Sequence, residues 1–264
     1  MSHQSAPVLT FLGTGTSVGV PVIGCDCAVC TSEDSRNKRT RSSITLEIDG
    51  LTLLFDTGPD LREQALREKL RAVDAVIYTH AHVDHVAGFD ELRAFCWHRD
   101  TPLPLYATPD CLLSLQTMFG WAFTPKQVYK GYVQVEPHTV EGNFHIGPVS
   151  ITPLPVLHGK VTTVGYRIDL PSGYSVAYIP DVKEVPEKTF TLLQDLDLLI
   201  IDALGPNTHP THLSIDEAVE ISQKCQAKTT YLTHMGHGVD LRTDTLPHPF
   251  NYATDGLRLT LSNS

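Results

Sequence analysis

The sequence predicts a mixed α/β fold in which sheets are flanked by helices, and two observations lead to this prediction. Short apolar runs of strand length recur along the 264 residues, with 18 glycines and 18 prolines dispersed between them. The strand-like runs first follow one another as hairpins and later alternate with helical segments in each half. That order is typical of sheets covered by helices.

The turns and helices can be placed from local signals. Asp-Gly at 49–50 predicts a tight hairpin turn, and apolar residues with helical spacing predict a helix over Leu61–Leu70. Ser214, followed three residues later by Glu217, resembles a capping box that starts a helix ending near Gln226. The predicted strands are, in chain order, Val8–Leu12, Ser43–Ile48, Leu51–Phe55, Ala75–Tyr78, Leu103–Tyr106, Val149–Pro153, Val164–Ile168, Val176–Ile179, Leu198–Ile201 and Thr229–Leu232.

Composition excludes several classes of protein. With 41% hydrophobic and 19% charged residues, the composition is globular rather than disordered. No stretch approaches the roughly 20 apolar residues of a membrane-spanning helix. Residues 1–7 have neither a basic region nor an apolar core, so we expect no signal peptide and a cytoplasmic location. The net charge of −10 argues against unspecific nucleic-acid binding, which needs a basic field.

The strongest chemical signal lies in 79–85, Thr-His-Ala-His-Val-Asp-His, directly after a predicted strand. Because residues i and i+2 of a strand end point the same way, His80 and His82 are placed to share one metal ion. The chain then turns toward a helix, which lets Asp84 and His85 face a second position. A histidine-rich, solvated loop is the alternative interpretation.

Other candidate ligands also follow apolar runs. His158, Asp181 and His234 each stand at or just past the end of such a run, where strand ends meet on one rim. Asp56 also follows a predicted strand. Because aspartate is common in turns, an ordinary turn residue and a residue of the ligand site are equal alternatives for it.

The cysteines predict a second, separate metal site. Cys25, Cys27 and Cys30 lie within six residues, a spacing that favours metal binding over disulfides. His237, three residues beyond His234, is the candidate for the fourth ligand of a closed tetrahedral zinc site. Three reduced thiols without a metal are the alternative.

The motif His80-x-His82-x-Asp84-His85, followed by His158, Asp181 and His234, resembles the metallo-β-lactamase superfamily of dinuclear metal hydrolases over residues 8 to about 256. The resemblance implies an αββα sandwich of two similar halves that form one domain over 1–264. It also implies two active-site divalent metals, zinc or manganese, and one structural zinc.

The ligand roles follow from that resemblance alone. It implies one metal held by His80, His82 and His158, a second held by Asp84, His85 and His234, and Asp181 as the bridge between them. Asp84 is assigned a catalytic role as well. The resemblance further implies that Asp56 orients a ligand histidine.

The motifs of this sequence are most similar to those of one branch of the superfamily. The glycine-rich segment 13–21, the cysteine loop and the late His-x-x-His resemble the phosphoribosyl cyclic phosphate phosphodiesterases of bacterial phosphonate utilisation. The resemblance implies hydrolysis of a small cyclic phosphate or nucleotide-like phosphodiester. His212 is the candidate general acid, with His209 as its competitor, and an imidazole pKa near 6.5 would suit that role.

Two alternative functions and the roles of several basic residues stay open. A tRNA 3′-processing nuclease would need a long basic arm, which we do not find, and a pyrroloquinoline quinone biosynthesis protein would have an altered metal set. Lys160 and the basic run Arg36–Arg41 either contact phosphate or are solvated surface. We expect a small phosphorylated substrate as partner and no membrane or nucleic-acid partner, and a homodimer stays open as an alternative to a monomer.

Overall fold

The computed structural model describes residues 6–97, 99–124 and 131–262. Residues 1–5 of the predicted non-signal segment therefore lie outside the described residues. Within the described part of the chain, the strands are β1 Val8–Gly13, β2 Ser43–Ile48, β3 Leu51–Phe55, β4 Ala75–Ile77, β5 Leu103–Ala107, β6 Val135–Thr139, β7 Phe144–Ile146, β8 Val149–His158, β9 Val161–Asp169, β10 Ser175–Ile179, β11 Leu198–Asp202, β12 Thr229–Thr233, β13 Phe250–Tyr252 and β14 Arg258–Thr260. The α-helices are α1 Leu61–Arg67, α2 Val83–Val86, α3 Arg93–Cys96, α4 Pro109–Phe119, α5 Glu187–Phe190 and α6 Ile215–Cys225.

The described strands form two sheets with closely related topologies. The first has the order β14-β1-β2-β3-β4-β5-β6 and the second β13-β12-β11-β10-β9-β8-β7. In each sheet the chain starts with antiparallel neighbours and continues with parallel ones, from β3 to β6 and from β10 to β13. The two sheets are therefore two similar halves.

Three apolar layers hold these elements together. The core between the sheets contains Phe11 and Ile77 from the first sheet, and Tyr166 and Ile200 from the second. A second layer packs α1 and α4 on the first sheet, and a third packs α5 and α6 on the second. This is the αββα sandwich that the sequence resemblance implied, and that prediction is confirmed.

Local predictions are confirmed where side chains specify the backbone. Asp49 and Gly50 both have positive φ, as a tight hairpin turn requires. The hydroxyl of Ser214 accepts from the Glu217 N–H, and the Glu217 carboxylate accepts from the Ser214 N–H. The predicted helix Leu61–Leu70 instead ends at Arg67, because Lys69 adopts left-handed backbone that cannot continue it.

Several elements depart from the predictions. Helix α4 and strands β6, β7, β13 and β14 were not predicted, since a Pro-initiated helix and short edge strands carry weak periodicity. Strand β8 extends to His158 although Pro153 and Pro155 interrupt its pattern. From Thr152 to Val156 its only strand partner among the described residues is β9, so the open edge tolerates the missing N–H groups of Pro153 and Pro155. Among the described helices, none has the length and apolarity needed to cross a membrane.

Candidate active site

Four side chains meet where strands of both sheets end. His80 and His82 follow β4, His158 is the last residue of β8, and Asp181 lies just past β10. His82 Nδ1 is 2.9 Å from His80 Nε2 and 3.3 Å from His158 Nε2. Asp181 Oδ2 is 3.5 Å from His158 Nε2 and 3.9 Å from His80 Nε2.

A second donor set shares Asp181 with the first. His85 Nε2 is 3.0 Å from Asp181 Oδ1 and 3.3 Å from Asp84 Oδ2. His234 Nε2 is 3.5 Å from Asp84 Oδ2 and 3.4 Å from Asp181 Oδ2. All seven predicted ligand residues are thus brought together in the two groupings that the resemblance implied.

The geometry of both sets is compatible with divalent metals. Donors at about 2.0–2.2 Å from a tetrahedral zinc ion lie roughly 3.3 Å apart, close to the separations within each set. His85 Nε2, His234 Nε2 and Asp181 Oδ1 are buried and form no well-aligned hydrogen bond among the described residues, although His85 Nε2 and Asp181 Oδ1 lie only 3.0 Å apart. Because an unpaired buried polar atom costs about 1–3 kcal/mol, bound cations would remove a large penalty.

Protonation differs between the two donor sets. Burial alone would lower the pKa of His85 and His234, but the facing carboxylates of Asp181 and Asp84 raise it, so a cation bound there would replace protons. Burial lowers the pKa of His80 and His158, which keeps these imidazoles neutral as ligands must be. Burial alone would raise the pKa of Asp181, but the facing imidazoles of His234 and His85 outweigh it and hold that pKa well below its usual range. The carboxylate is therefore ionised.

A layer of buried groups orients the donors. Asp56, which is completely buried, lies with Oδ2 2.8 Å from His85 Nδ1 and accepts hydrogen bonds from both the N–H and the hydroxyl of Thr79. His158 Nδ1 donates to the Thr211 carbonyl over 2.8 Å. Asp56 and His234 both adopt left-handed backbone, a costly conformation for residues other than glycine that is concentrated at functional sites.

His212 stands beside both donor sets with a partner that the sequence analysis missed. Its Nδ1 is 2.8 Å from Oδ2 of Asp202, a fully buried carboxylate at the end of β11. The signal for Asp202 was present, since it ends the apolar run 198–201 just as Asp181 follows the run before it. The expectation of a pKa near 6.5 for His212 is wrong, because burial and the neighbouring His234 lower it to about 4.

His209 lies near this pair but is held differently. Its ring centroid is 5.3 Å from that of His212, and its Nδ1 accepts from the Thr211 N–H at 3.3 Å. It has no contact with a carboxylate among the described residues. The geometry therefore favours His212 over His209 as the proton-transferring residue.

The cysteine loop and His237 also converge. His237 Nδ1 lies 3.3 Å from Cys25 Sγ, 3.7 Å from Cys27 Sγ and 3.4 Å from Cys30 Sγ. Sulfur and nitrogen ligands of one tetrahedral zinc ion are separated by roughly 3.5 Å. The Cys30 N–H helps to lower the pKa of the Cys27 thiol to about 6, which favours the thiolate that binds zinc. These four residues can hold a closed, structural zinc site.

Sequence comparison identifies the family to which this fold and site belong. The profile described as "Beta-lactamase superfamily domain" matches residues 52–235, which contain both active-site donor sets. The chain belongs to the beta-lactamase superfamily. Within that superfamily, a solved structure from the PhnP family, described as a new diphosphatase, is 39% identical with a TM-score of 0.88 and covers 97% of each chain. This superfamily member therefore lies in the PhnP-like branch.

Other proteins that are similar to this chain have names that describe different functions. The chain is 35% identical over 253 residues to an octanoyltransferase of Porphyromonas gingivalis, covering 93% of this chain and 50% of that protein. The chain thus spans half the length of this relative. It is also 32% identical to coenzyme PQQ synthesis protein B of Methylorubrum extorquens, over 74% of this chain and 72% of that one. The short form of human tRNase Z, at 18% identity and a TM-score of 0.72, covers 97% of this chain and all of that one and shares the fold.

The basic run forms the solvated face that one interpretation predicted only in part, because Arg36 and Lys38 are exposed and Arg39 is buried. Arg36 pairs with Asp34 at 2.6 Å and Arg41 with Asp60 at 3.2 Å, whereas Arg39 is only 1% exposed. Arg39 donates to backbone carbonyls on either side of His237, at Gly236 and Val239. Lys160 is exposed in the turn between β8 and β9.

Proposed function

We propose that this superfamily hydrolase is a metal-dependent phosphodiesterase that acts on a small cyclic phosphate or nucleotide-like phosphodiester. The observation that carries the proposal is the pair of donor sets sharing Asp181, with the His212–Asp202 pair beside them. Both sets contain a carboxylate, and seven side chains fill all of the predicted ligand positions.

The proposal assigns the ligands as the resemblance implied. His80, His82 and His158 would hold one divalent cation, and Asp84, His85 and His234 the other, with Asp181 between them. When bound, such a pair supplies Lewis-acid activation of water and stabilises charge on the phosphoryl oxygens. Zinc and manganese are both compatible with imidazole and carboxylate donors.

His212 would handle the proton at the leaving oxygen. Its Nδ1 is fixed by Asp202, so Nε2 is the ring nitrogen that remains for the substrate. The free site keeps this imidazole neutral, and the negative phosphoryl group of a bound substrate would raise its pKa again. Burial raises the pKa of Asp202 well above its usual range, so we assign to Asp202 the orientation of the His212 ring and the exchange of a proton at Nδ1, and not a fixed negative charge.

Charge and motifs separate this proposal from its alternatives. A net charge of −10 is unfavourable for RNA, whereas two bound divalent ions would make only the cleft locally attractive to an anion. The PQQ synthesis alternative remains represented among the relatives, but here no ligand position of the donor sets has been lost.

The name of the PhnP-family structure supports a second candidate reaction. That structure is described as a diphosphatase, and the same donor arrangement suits cleavage of a P–O–P bond. The leaving group would then be a phosphate instead of an alkoxide. Because a phosphate is the weaker base, it depends less on a proton donated by His212.

A panel assay tests both reactions. The protein is loaded with Mn²⁺ or Zn²⁺ and assayed with bis-p-nitrophenyl phosphate, cyclic nucleotides, ribose cyclic phosphate and a dinucleoside diphosphate. We expect turnover of at least one phosphodiester that disappears in the Asp181→Asn variant. Absence of phosphodiester turnover from the fully loaded protein would overturn the proposal, and turnover of the diphosphate alone would replace it with the second candidate.

A further inference from the structure

Thr79, the residue before the first candidate ligand, lies at the seam between the two sheets. It stands just past β4, its carbonyl accepts from the Val164 N–H of β9 at 3.1 Å, and it is completely buried. Its N–H and its hydroxyl donate to the two different oxygens of the Asp56 carboxylate, at 2.8 and 2.9 Å. These three hydrogen bonds give the Thr79 side chain one defined orientation.

The same hydroxyl contacts the ring of His80. Thr79 Oγ1 is 3.0 Å from His80 Nδ1, while the other ring nitrogen, Nε2, faces the first donor set at 2.9 Å from His82 Nδ1. A neutral imidazole that binds a cation through Nε2 carries its proton on Nδ1. That proton is donated to the Thr79 hydroxyl, whose own hydrogen is donated to Asp56 Oδ2. The direction of both hydrogen bonds is therefore defined.

Asp56 thereby anchors one histidine of each donor set. Its Oδ2 is 2.8 Å from Nδ1 of His85, in the second set, and it reaches His80, in the first set, through the Thr79 hydroxyl. Asp56, Thr79, His80 and His85 have no exposed surface. Because the group is closed to solvent, water does not replace the hydroxyl. Without that hydroxyl, the Nδ1–H of His80 would be a buried donor that lacks an acceptor.

We propose that Thr79 is a positioning residue whose hydroxyl fixes the ring of His80 and links it to the carboxylate that holds His85. The inference rests on the proposed function only in placing divalent cations at the two donor sets. The hydroxyl belongs to neither donor set, so it acts through His80. Supporting groups of this kind hold a ligand imidazole in one tautomer and one orientation, and their loss lowers the affinity for the metal.

Manganese binding tests this role without requiring turnover. Thr79→Val keeps the shape of the side chain and removes the hydroxyl, whereas Thr79→Ser keeps the hydroxyl and removes a methyl group. Calorimetry on chelator-treated protein should show two Mn²⁺ sites in the wild type. We expect one of the two to bind about 10–100-fold more weakly in Thr79→Val, the usual effect of losing a supporting group, and to regain most of its affinity in Thr79→Ser.

Thr230→Val is the matched control. Thr230 is equally buried, and its hydroxyl is 2.6 Å from that of Ser222, where α6 packs on β12. This variant also loses a buried hydroxyl contact and should bind Mn²⁺ as the wild type does. Circular dichroism verifies that each variant is folded. Thr79→Ala, which also lacks the hydroxyl, replaces Thr79→Val if that variant does not fold.

The outcomes separate the positioning role from the proposed reaction. Two unchanged Mn²⁺ sites in folded protein without the hydroxyl would overturn the role of Thr79. An equal loss in Thr79→Ser would assign the effect to the methyl group, and an equal loss in Thr230→Val would assign it to general destabilisation, so either result would also overturn it. Weakened binding in Thr79→Val, together with no phosphodiester turnover by the wild type in the panel assay, would overturn only the proposed reaction. A wild type that binds no Mn²⁺ would overturn both.

Discussion

The buried pair His212–Asp202 is the residue-scale feature on which the proposed chemistry depends most. We expect His212→Ala to lower kcat by about 10²–10⁴-fold, the usual contribution of a general acid or base. Metal content measured by mass spectrometry should stay unchanged, because His212 belongs to neither of the predicted active-site donor sets. His209→Ala is the matched control and should retain activity within a few-fold. Equal losses in the two variants, or none in His212→Ala, would contradict the assignment.

Asp202 is a positioning residue, and its removal should affect rate more than affinity. In Asp202→Asn the amide retains the size of the side chain but can no longer exchange a proton with His212 Nδ1, as the buried carboxyl with its raised pKa can. We expect kcat to fall about 10–100-fold with a nearly unchanged KM and an altered pH profile. Asp197→Asn is the control. Asp197 directly precedes β11 and is also a buried carboxylate, but it pairs with Lys228 instead of a histidine. An increase in KM with an unchanged kcat would instead assign Asp202 to substrate binding.

At the scale of elements, Arg39 connects the segments that carry the predicted zinc ligands. Its backbone pairs with Val20, which packs against Val29 and Cys30 of the cysteine loop, while its guanidinium holds the carbonyls of Gly236 and Val239. The cysteine loop and the His237 segment are therefore held together by one buried residue, through its backbone on one side and its side chain on the other. This connection preorganises a site whose ligands lie about 200 residues apart in sequence.

Arg39→Met should loosen the zinc site specifically. We expect zinc release to a colorimetric chelator to accelerate about tenfold, the scale of effect that supporting residues have on metal sites. Arg36→Met, which alters an exposed neighbour, should release zinc as the wild type does. If Arg39→Met lowers the thermal midpoint but retains zinc normally, Arg39 contributes to stability and not to the metal site.

The same elements explain what the sequence could and could not predict. The hairpin at Asp49–Gly50 and the capping box at Ser214 are local, so short motifs specify them fully. The convergence of His80 and His158 was predictable only because strand ends share a rim, a rule that applied equally to Asp202.

At the scale of the whole molecule, the donor sets join the two halves of the sandwich. His80 and His82 come from the first half, and His158, Asp181 and His234 come from the second. Metal binding should therefore stabilise the folded chain as a unit, because the unfolded chain cannot assemble ligands from both halves.

Thermal unfolding after chelation tests this coupling. The chelator-treated protein should unfold at a lower temperature, and Mn²⁺ at about 100 times its Kd should return roughly 2.7 kcal/mol per site, several degrees in Tm. Manganese is the informative ion, since thiolate ligands disfavour it and the cysteine site stays empty of it. Asp181→Asn disrupts both donor sets and should lose the manganese-dependent gain, whereas the matched Asp197→Asn should keep it. If manganese stabilises Asp181→Asn as much as the wild type, the bridging role of Asp181 is wrong.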